Sequence, residues 1–256
     1  MRYLDFVTNV GVRGGGRRAR ALIWLGLVAA GPAWAQPGPA AAPLVAEGSG
    51  AAAAAVAGAP APSRANFAGE PASGEARRIA DWVVASGDNL ELPFMIVDKV
   101  GARVLAFDAH GLLVGAAPAL LGAARGDVSP EGIGKRRLAD IAPAERITPA
   151  GRFVATLGRD LGNADILWVD YESATSLHRV VNGKPSERRL QRLTTASTLD
   201  NRISYGCINV PVAFYEGVVR PIFKGTNGIV YVLPETKPLH EVFSIPAAGE
   251  HARVGQ

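Results

Sequence analysis

The sequence predicts a mainly β domain with a few short helices, and three observations support this class. Short runs rich in β-branched and aromatic residues recur between residues 94 and 233, separated by Gly, Asn and Pro. Strands and helices do not alternate regularly, as they would in a parallel βαβ sheet. Helical periodicity is confined to a few short stretches.

Two non-globular segments are predicted before this domain. Residues 1–35 resemble a secretory signal peptide, with "GRRAR", the apolar "ALIWLGLVAAGPA" and "AWA" before Gln36. An uncleaved anchor is the alternative, although the apolar run is shorter than the ~20 residues of a membrane span. The Arg17-Arg18 pair leaves the Sec and twin-arginine routes open. Residues 36–74, rich in Ala, Pro and Gly, predict a flexible linker.

Charge argues against nucleic acid as a partner. Of 27 basic and 23 acidic residues, five Arg and Asp5 lie in residues 1–35, so the remainder carries 22 of each. A mature chain without excess positive charge has no general electrostatic attraction to nucleic acid. We expect a location in the periplasm or cell envelope, without a membrane span after signal cleavage.

The domain is predicted over residues 75–245, with its core at 92–235 and a frayed tail at 246–256. "GEARRIADWVVASGD" has helical spacing and ends at Gly87. Strands are predicted at "FMIVDKV", "RVLAFDA", "LLVGAA", "GRFVATL", "DILWVDY", "TSLHRVV" and "NGIVYVLP". Helices are predicted at "GKRRLADI", "PSERRLQRLTTA" and "PVAFYEGVVRPIF". The long polar segment 119–147 is either a lid or a surface insertion.

Cys207 is the chain's single cysteine, in "RISYGCINVP". A lone cysteine in an exported chain is either a free reactive thiol or an intermolecular link, and a buried packing residue is the ordinary alternative. Gly206 lets the backbone turn tightly beside the thiol. A nucleophilic thiol also needs a base within hydrogen-bonding distance and N–H donors for an oxyanion.

Four histidines could supply that base. His110 lies in a predicted turn, His240 near the end of the domain and His251 in the tail. His178 lies inside a predicted strand, which fits either a base or a hydrogen-bonded packing residue.

Several segments then appear in an order typical of one family. "MIVDKVGARVLAFDAHGLLVGAAPALLG" is followed by "ITPAGRF", "LHRV" and "SYGCIN". Over residues 92–235 the chain resembles the L,D-transpeptidase catalytic domain (the YkuD or ErfK/YbiS/YcfS/YnhG family), and this resemblance implies a β-sandwich fold. The last segment is similar to that family's Ser-His-Gly-Cys-hydrophobic-Arg signature.

The resemblance implies a role for each site residue. Cys207 would be the nucleophile, His178 its base, and the backbone carbonyl of Arg179 the group that orients the base. Ser204 matches the serine three positions before the cysteine. The backbone amides of Tyr205, Gly206 and Cys207 would form the oxyanion hole.

Two positions depart from the family signature. Tyr205 stands where the family has histidine, and Asn209 where it has arginine; both are expected in substrate binding. Asn cannot give a carboxylate the charge-assisted contact of an arginine. The 29-residue interval between His178 and Cys207 is longer than usual, because of the inserted "NGKPSERRLQRLTTASTLDN".

The expected activity is acyl transfer on peptidoglycan stem peptides with release of D-alanine, forming 3→3 cross-links or attaching a protein to the wall. L,D-carboxypeptidase action and a non-catalytic wall-binding module are the alternatives. A papain-like protease lacks support, because its Cys-Trp context is missing. No metal or organic cofactor is expected, because the Cys and His spacing does not resemble a zinc site.

Overall fold

The computed structural model describes residues 64–160 and 162–245. The strands in these ranges are β1 (Phe94–Asp98), β2 (Arg103–Phe107), β3 (Leu113–Pro118), β4 (Leu121–Gly122), β5 (Gly151–Arg159), β6 (Asp165–Asp170), β7 (Thr175–Arg179), β8 (Arg202–Ser204), β9 (Ile208–Val210) and β10 (Gly228–Val232). The α-helices are α1 (Gly74–Ser86), α2 (Arg189–Arg192), α3 (Val212–Phe214), α4 (Arg220–Phe223) and α5 (Leu239–Val242). Single 3₁₀ turns cover Ile133–Lys135, Leu138–Asp140, Pro143–Glu145, Pro185–Glu187 and Thr198–Asn201, and a π-helical turn covers Tyr215–Val219.

Eight strands form one mixed sheet in the order β3-β2-β1-β10-β5-β6-β7-β9, and β4 and β8 form a small parallel pair. The pairs β1–β10 and β7–β9 are parallel, and the other neighbours in the large sheet are antiparallel. The predicted mainly β class is therefore confirmed.

The two ends of the sheet order meet. Leu120, just after β3, exchanges backbone hydrogen bonds with Asn209 on β9, at 2.8 and 2.9 Å. The sheet thus curls on itself, in the manner of a β-sandwich, and its inner face encloses one apolar core. Strands across the whole sheet contribute alternate residues to this core, including Val97, Leu167 and Ile208.

A second apolar cluster covers part of the outer face. α1 places Ile79 and Val83 against Phe94 and Tyr231 of the sheet. The helix begins after Ser73, whose hydroxyl accepts the N–H of Ala76, and it ends at Gly87, which adopts a left-handed conformation. This burial covers the β1 and β10 side of the outer face.

The domain begins earlier in the chain than the predicted boundary at 75. Asn66 exchanges backbone hydrogen bonds with Gly111 and Leu113, and Phe67 is buried in the cluster under α1. Residues 64–73 therefore pack on the domain, which corrects the end of the predicted 36–74 linker. The predicted signal peptide (1–35), the rest of the linker and the tail (246–256) lie outside the described residues.

Three predicted helices differ from the observed elements. "PSERRLQRLTTA" is divided into a 3₁₀ turn and the single turn α2, because Arg188 between them is left-handed at φ +47°. "GKRRLADI" forms two 3₁₀ turns rather than an α-helix. "PVAFYEGVVRPIF" is helical, with a π turn between α3 and α4.

The 119–147 segment is anchored to the sheet. The carboxylate of Asp127 accepts a hydrogen bond from Nζ of buried Lys99 at 2.8 Å. It also accepts hydrogen bonds from the backbone N–H groups of Glu235, Thr236 and Lys237. Its lid role stays a prediction, but its first third is fixed by the buried ion pair of Asp127 with Lys99. Among the described residues, none of the helices has the length and apolar character to cross a membrane.

Candidate active site

The thiol lies in a tight turn between β8 and β9. The Ser204 hydroxyl donates to the carbonyl of Cys207 at 2.6 Å and accepts the N–H of Gly206 at 3.1 Å. Gly206 has φ +130°, and a Cβ at this position would lie 2.8 Å from the carbonyl oxygen of Ile147. Glycine is therefore required both by the backbone conformation and by the close approach of a neighbouring segment.

A second segment holds this turn from behind. The hydroxyl of Thr148 donates to the carbonyl of Gly206 at 2.9 Å and accepts the N–H of Gly122, also at 2.9 Å. Thr148 is fully buried, so one side chain joins the ends of the 119–147 segment to the residue before the nucleophile.

The parallel pairing of β7 with β9 brings the histidine to the thiol. His178 is paired in register with Asn209, and Leu177 with Ile208. Leu177 points into the core, so Ser176 and His178 point to the opposite face of the sheet. The imidazole of His178 lies close enough to Cys207 for the two side chains to interact electrostatically, and its Nδ1 lies 2.7 Å from the carbonyl oxygen of Arg179.

Two further groups contact the partly buried thiol. The Ser176 hydroxyl donates to Sγ at 3.5 Å, and Sγ lies 3.8 Å from the carbonyl oxygen of Ala174. The sulfur thus contacts two polar oxygen atoms, which argues against a purely structural cysteine.

The electrostatics of the thiol and the imidazole are coupled. Burial alone would raise the pKa of Cys207, but its hydrogen bond and charge interaction with His178 and the bonds from Ser176 bring it down to about 7. Burial also acts to lower the pKa of His178, whereas the interactions with Cys207 and the Arg179 carbonyl raise it above its ordinary value. Both shifts favour a thiolate–imidazolium pair near neutral pH.

Asn209 is buried beside the proposed base. It is 1% exposed, and its side chain lies between Arg189 and His178. Pairing with β7 on one side and Leu120 on the other buries the residue. The expected contact of Asn209 with substrate stays a prediction.

The expected oxyanion donors are partly engaged. The N–H of Gly206 is bound by Ser204, so it does not face an incoming carbonyl group. Tyr205 is half-buried, with the guanidinium of Arg146 4.0 Å above its ring. That guanidinium is itself held by the carbonyl of Ile141, which ties Tyr205 to the 119–147 segment.

The other histidines lie elsewhere. His110 is exposed in a turn, where its backbone N–H donates to Asp108. His240 is exposed on α5, and His251 lies outside the described residues. Across 64–160 and 162–245, clusters of three or more His, Cys, Asp or Glu side chains suited to a metal ion are absent.

Ser176, Thr148 and Arg189 were missed as site residues. Ser176 could have been found, because it lies two positions before His178 on the same strand and therefore on the same face. Thr148 lies within "ITPAGRF", a segment singled out for its resemblance alone. Arg189 carries no local signal, because its partner Asn209 is 20 residues away.

Comparisons with known proteins give structural neighbours. No protein-family model matches the chain, and no curated protein matches it. The catalytic domain of the L,D-transpeptidase from E. faecium is 16% identical with a TM-score of 0.33, over 56% of this chain and 98% of that one. An L,D-transpeptidase from Xylanimonas cellulosilytica is 16% identical with a TM-score of 0.32, over 55% of this chain and 60% of that one. The helical cell shape determining protein Pgp2 from Campylobacter jejuni is 14% identical with a TM-score of 0.35, over 57% of this chain and 49% of that one. The described chain thus matches nearly all of the first neighbour and about half of the last.

Proposed function

We propose that this protein is a cysteine acyltransferase of the L,D-transpeptidase type, acting on peptidoglycan stem peptides in the periplasm or cell envelope. The observation that carries the chemistry is the alignment of Cys207, His178 and the Arg179 carbonyl. The substrate class comes from the resemblance of "ITPAGRF", "LHRV" and "SYGCIN" to that family. The location follows from the predicted signal peptide.

The first half-reaction forms a thioester. The Cys207 thiolate attacks the carbonyl carbon of the L-centre of the diamino acid at position three of a tetrapeptide stem. The tetrahedral intermediate collapses as the C–N bond to D-alanine breaks, and the His178 imidazolium donates its Nε2 proton to the departing amine. The Nδ1–H of His178 stays bound to the Arg179 carbonyl, so the ring keeps its orientation throughout.

The second half-reaction returns the thiol. An amine attacks the thioester carbonyl, His178 accepts its proton at Nε2, and the C–S bond breaks. An amine from another stem gives a 3→3 cross-link, a protein lysine gives a wall-anchored protein, and water gives a shortened stem. Because the Gly206 amide is engaged, we assign oxyanion stabilisation to the amides of Tyr205 and Cys207.

Incubation of the purified protein with tetrapeptide muropeptides tests this proposal. We expect release of D-alanine and formation of cross-linked dimers, followed by mass spectrometry. D-alanine without dimers would identify a carboxypeptidase, and intact muropeptides with retention of the protein on sacculi would identify a binding module.

Cys207→Ala is the matched control for this assay. It removes the sulfur with little change in volume, so turnover should be lost while the free energy of unfolding changes by less than about 1–2 kcal/mol. Collapse of the fold in this variant would instead assign Cys207 to packing.

A further inference from the structure

The segment between the proposed base and nucleophile delivers a buried arginine to the site. Arg189 lies on α2 within residues 182–201, the part of the chain that lengthens the interval between His178 and Cys207. It is 7% exposed, although its neighbour Arg188 is exposed. Its Nη1 donates to Oδ1 of Asn209 at 2.7 Å, and its Nε donates to Glu187 at 2.6 Å.

This contact fixes the orientation of the Asn209 amide. A guanidinium only donates hydrogen bonds, so the atom of Asn209 that faces Arg189 must be the carbonyl oxygen. The amide NH₂ group then faces His178, and Nδ2 lies 3.2 Å from Nε2 of the imidazole.

The orientation of the amide in turn fixes the tautomer of the imidazole. Nδ2 of Asn209 can only donate, so Nε2 of the neutral ring must accept and carries no proton. Nδ1 faces a carbonyl oxygen, that of Arg179, and must carry the proton. The unprotonated nitrogen is therefore the one next to Cys207, as general-base action requires.

Few charged groups bear on this ring. Cys207, in the turn before β9, and Arg189, on α2, both interact electrostatically with the His178 ring. Glu187 is the counter-ion of Arg189. The neighbouring guanidinium on β7, that of Arg179, is turned to the other face of the sheet and pairs with Asp165 and Glu216. A positive charge at Arg189 opposes protonation of the imidazole.

We propose that Arg189 is a positioning residue, which acts through Asn209 to hold His178 in the Nδ1–H tautomer with Nε2 directed at the thiol. The buried charge of Arg189 also limits protonation of the ring. The inference deepens the proposed function, because it explains how the base is prepared for any acyl substrate.

The test reads the imidazole directly by NMR of the ring nitrogens in the ¹⁵N-histidine-labelled full-length protein. Spectra are recorded across a pH titration, with His178→Gln used to assign the signal. In the wild type we expect the neutral ring of His178 to carry its proton on Nδ1. In Arg189→Gln we expect the neutral His178 ring to be a mixture of tautomers. We also expect the midpoint of the His178 titration to rise by about 0.5–1 pH unit, because a nearby positive charge is lost. Arg188→Gln, an exposed neighbour on the same segment, should match the wild type.

Two further variants separate positioning from loss of the fold. Glu187→Gln leaves the positive charge of Arg189 uncompensated, so the His178 midpoint should fall by a few tenths of a pH unit. The rise expected in Arg189→Gln is the direction that unfolding does not imitate, because His178 in an unfolded chain would return to its lower ordinary pKa. Arg189→Lys keeps the charge but not the planar fork, so its midpoint should return most of the way to the wild-type value.

The NMR titrations test the role of Arg189 without any substrate. An unchanged tautomer and midpoint in a folded Arg189→Gln variant would reduce Arg189 to an anchor of α2. Equal shifts in Arg188→Gln would show a general charge effect and would also overturn the proposal. Failure of the muropeptide assay with the expected NMR shifts would reject the proposed activity and leave the role of Arg189 intact.

Discussion

Two buried polar clusters lie on either side of Thr148, and they differ in how completely their groups are paired. In the first, Lys99 donates to Asp127 and to the carbonyls of Gly126 and Thr148, and it lies 3.6 Å from Glu235. Asp127 accepts further bonds from backbone amides, and its pKa falls far below the ordinary range despite burial. In the second, Cys207 has few contacts, and its pKa is brought down to about 7.

The difference shows how one domain separates structural from reactive charge. A carboxylate surrounded by donors keeps its charge across the physiological range, so Asp127 can anchor a loop without exchanging a proton near neutral pH. A thiol whose pKa is lowered to about 7 by one imidazole and one hydroxyl can gain or lose its proton near neutral pH. The predictions below test this contrast from either side.

Replacement of the base should give the largest effect. We expect His178→Gln to reduce acylation of Cys207 by about 10²–10⁴-fold, because the thiol loses its proton acceptor. Single-turnover mass spectrometry of the acyl-enzyme measures this rate. His110→Gln alters an exposed turn histidine and should be nearly silent; equal losses in both variants would mean that His178 is not the base.

Replacement of Lys99 in the first cluster should reduce stability rather than activity. Lys99→Met removes the cation that is paired with buried Asp127, whereas Glu235 keeps its pairs with Arg125 and Arg202. We expect the free energy of unfolding to fall by about 3–5 kcal/mol. Denaturant titration measures this change, with the exposed Lys184→Met as a control expected to stay within about 0.5 kcal/mol. A loss below 1 kcal/mol would show that the cluster is not the anchor of the 119–147 segment.

The smallest effect is expected at the hydroxyl beside the thiol. Ser176 donates to Sγ and helps to lower the pKa of Cys207, so Ser176→Ala should raise that pKa. The thiolate fraction then falls at pH 7, and alkylation by iodoacetamide should slow about two- to fivefold at this pH and converge with the wild type as pH rises. The chain has a single cysteine, so the mass of the whole protein reports this site. Ser186→Ala, on the exposed part of the 182–201 segment, serves as the control, and a slower reaction at every pH would point to altered access rather than to ionisation.

The sequence was most informative where structure is local. α1 follows from the spacing of Ile79, Trp82 and Val83 and from Gly87, and the strands follow from their apolar runs. The 185–196 segment was predicted as one helix because its propensity is helical, but Arg188 is left-handed and Arg189 is turned into the site. Tertiary contacts outweigh propensity there.

The candidate site was only partly accessible from the sequence. Cys207 and His178 were singled out by motif and by resemblance, and the structure brings them together through the β7–β9 pairing. The burial of Asn209 was not predicted, because it depends on Leu120, 89 positions earlier in the chain. Contacts between residues so far apart in the chain produce no local pattern in the sequence.

The exchange of hydrogen bonds between Leu120 and Asn209 limits how a peptide can be recognised. Many peptide-binding domains offer an unpaired strand edge, to which an extended ligand adds as a further strand. Here the main-chain donor and acceptor of Asn209 are already used by the chain itself. A stem peptide that reaches the sulfur must therefore be held by side chains and by the amides of the 204–207 turn. Its recognition then depends on a few side chains that can be exchanged rather than on the sheet.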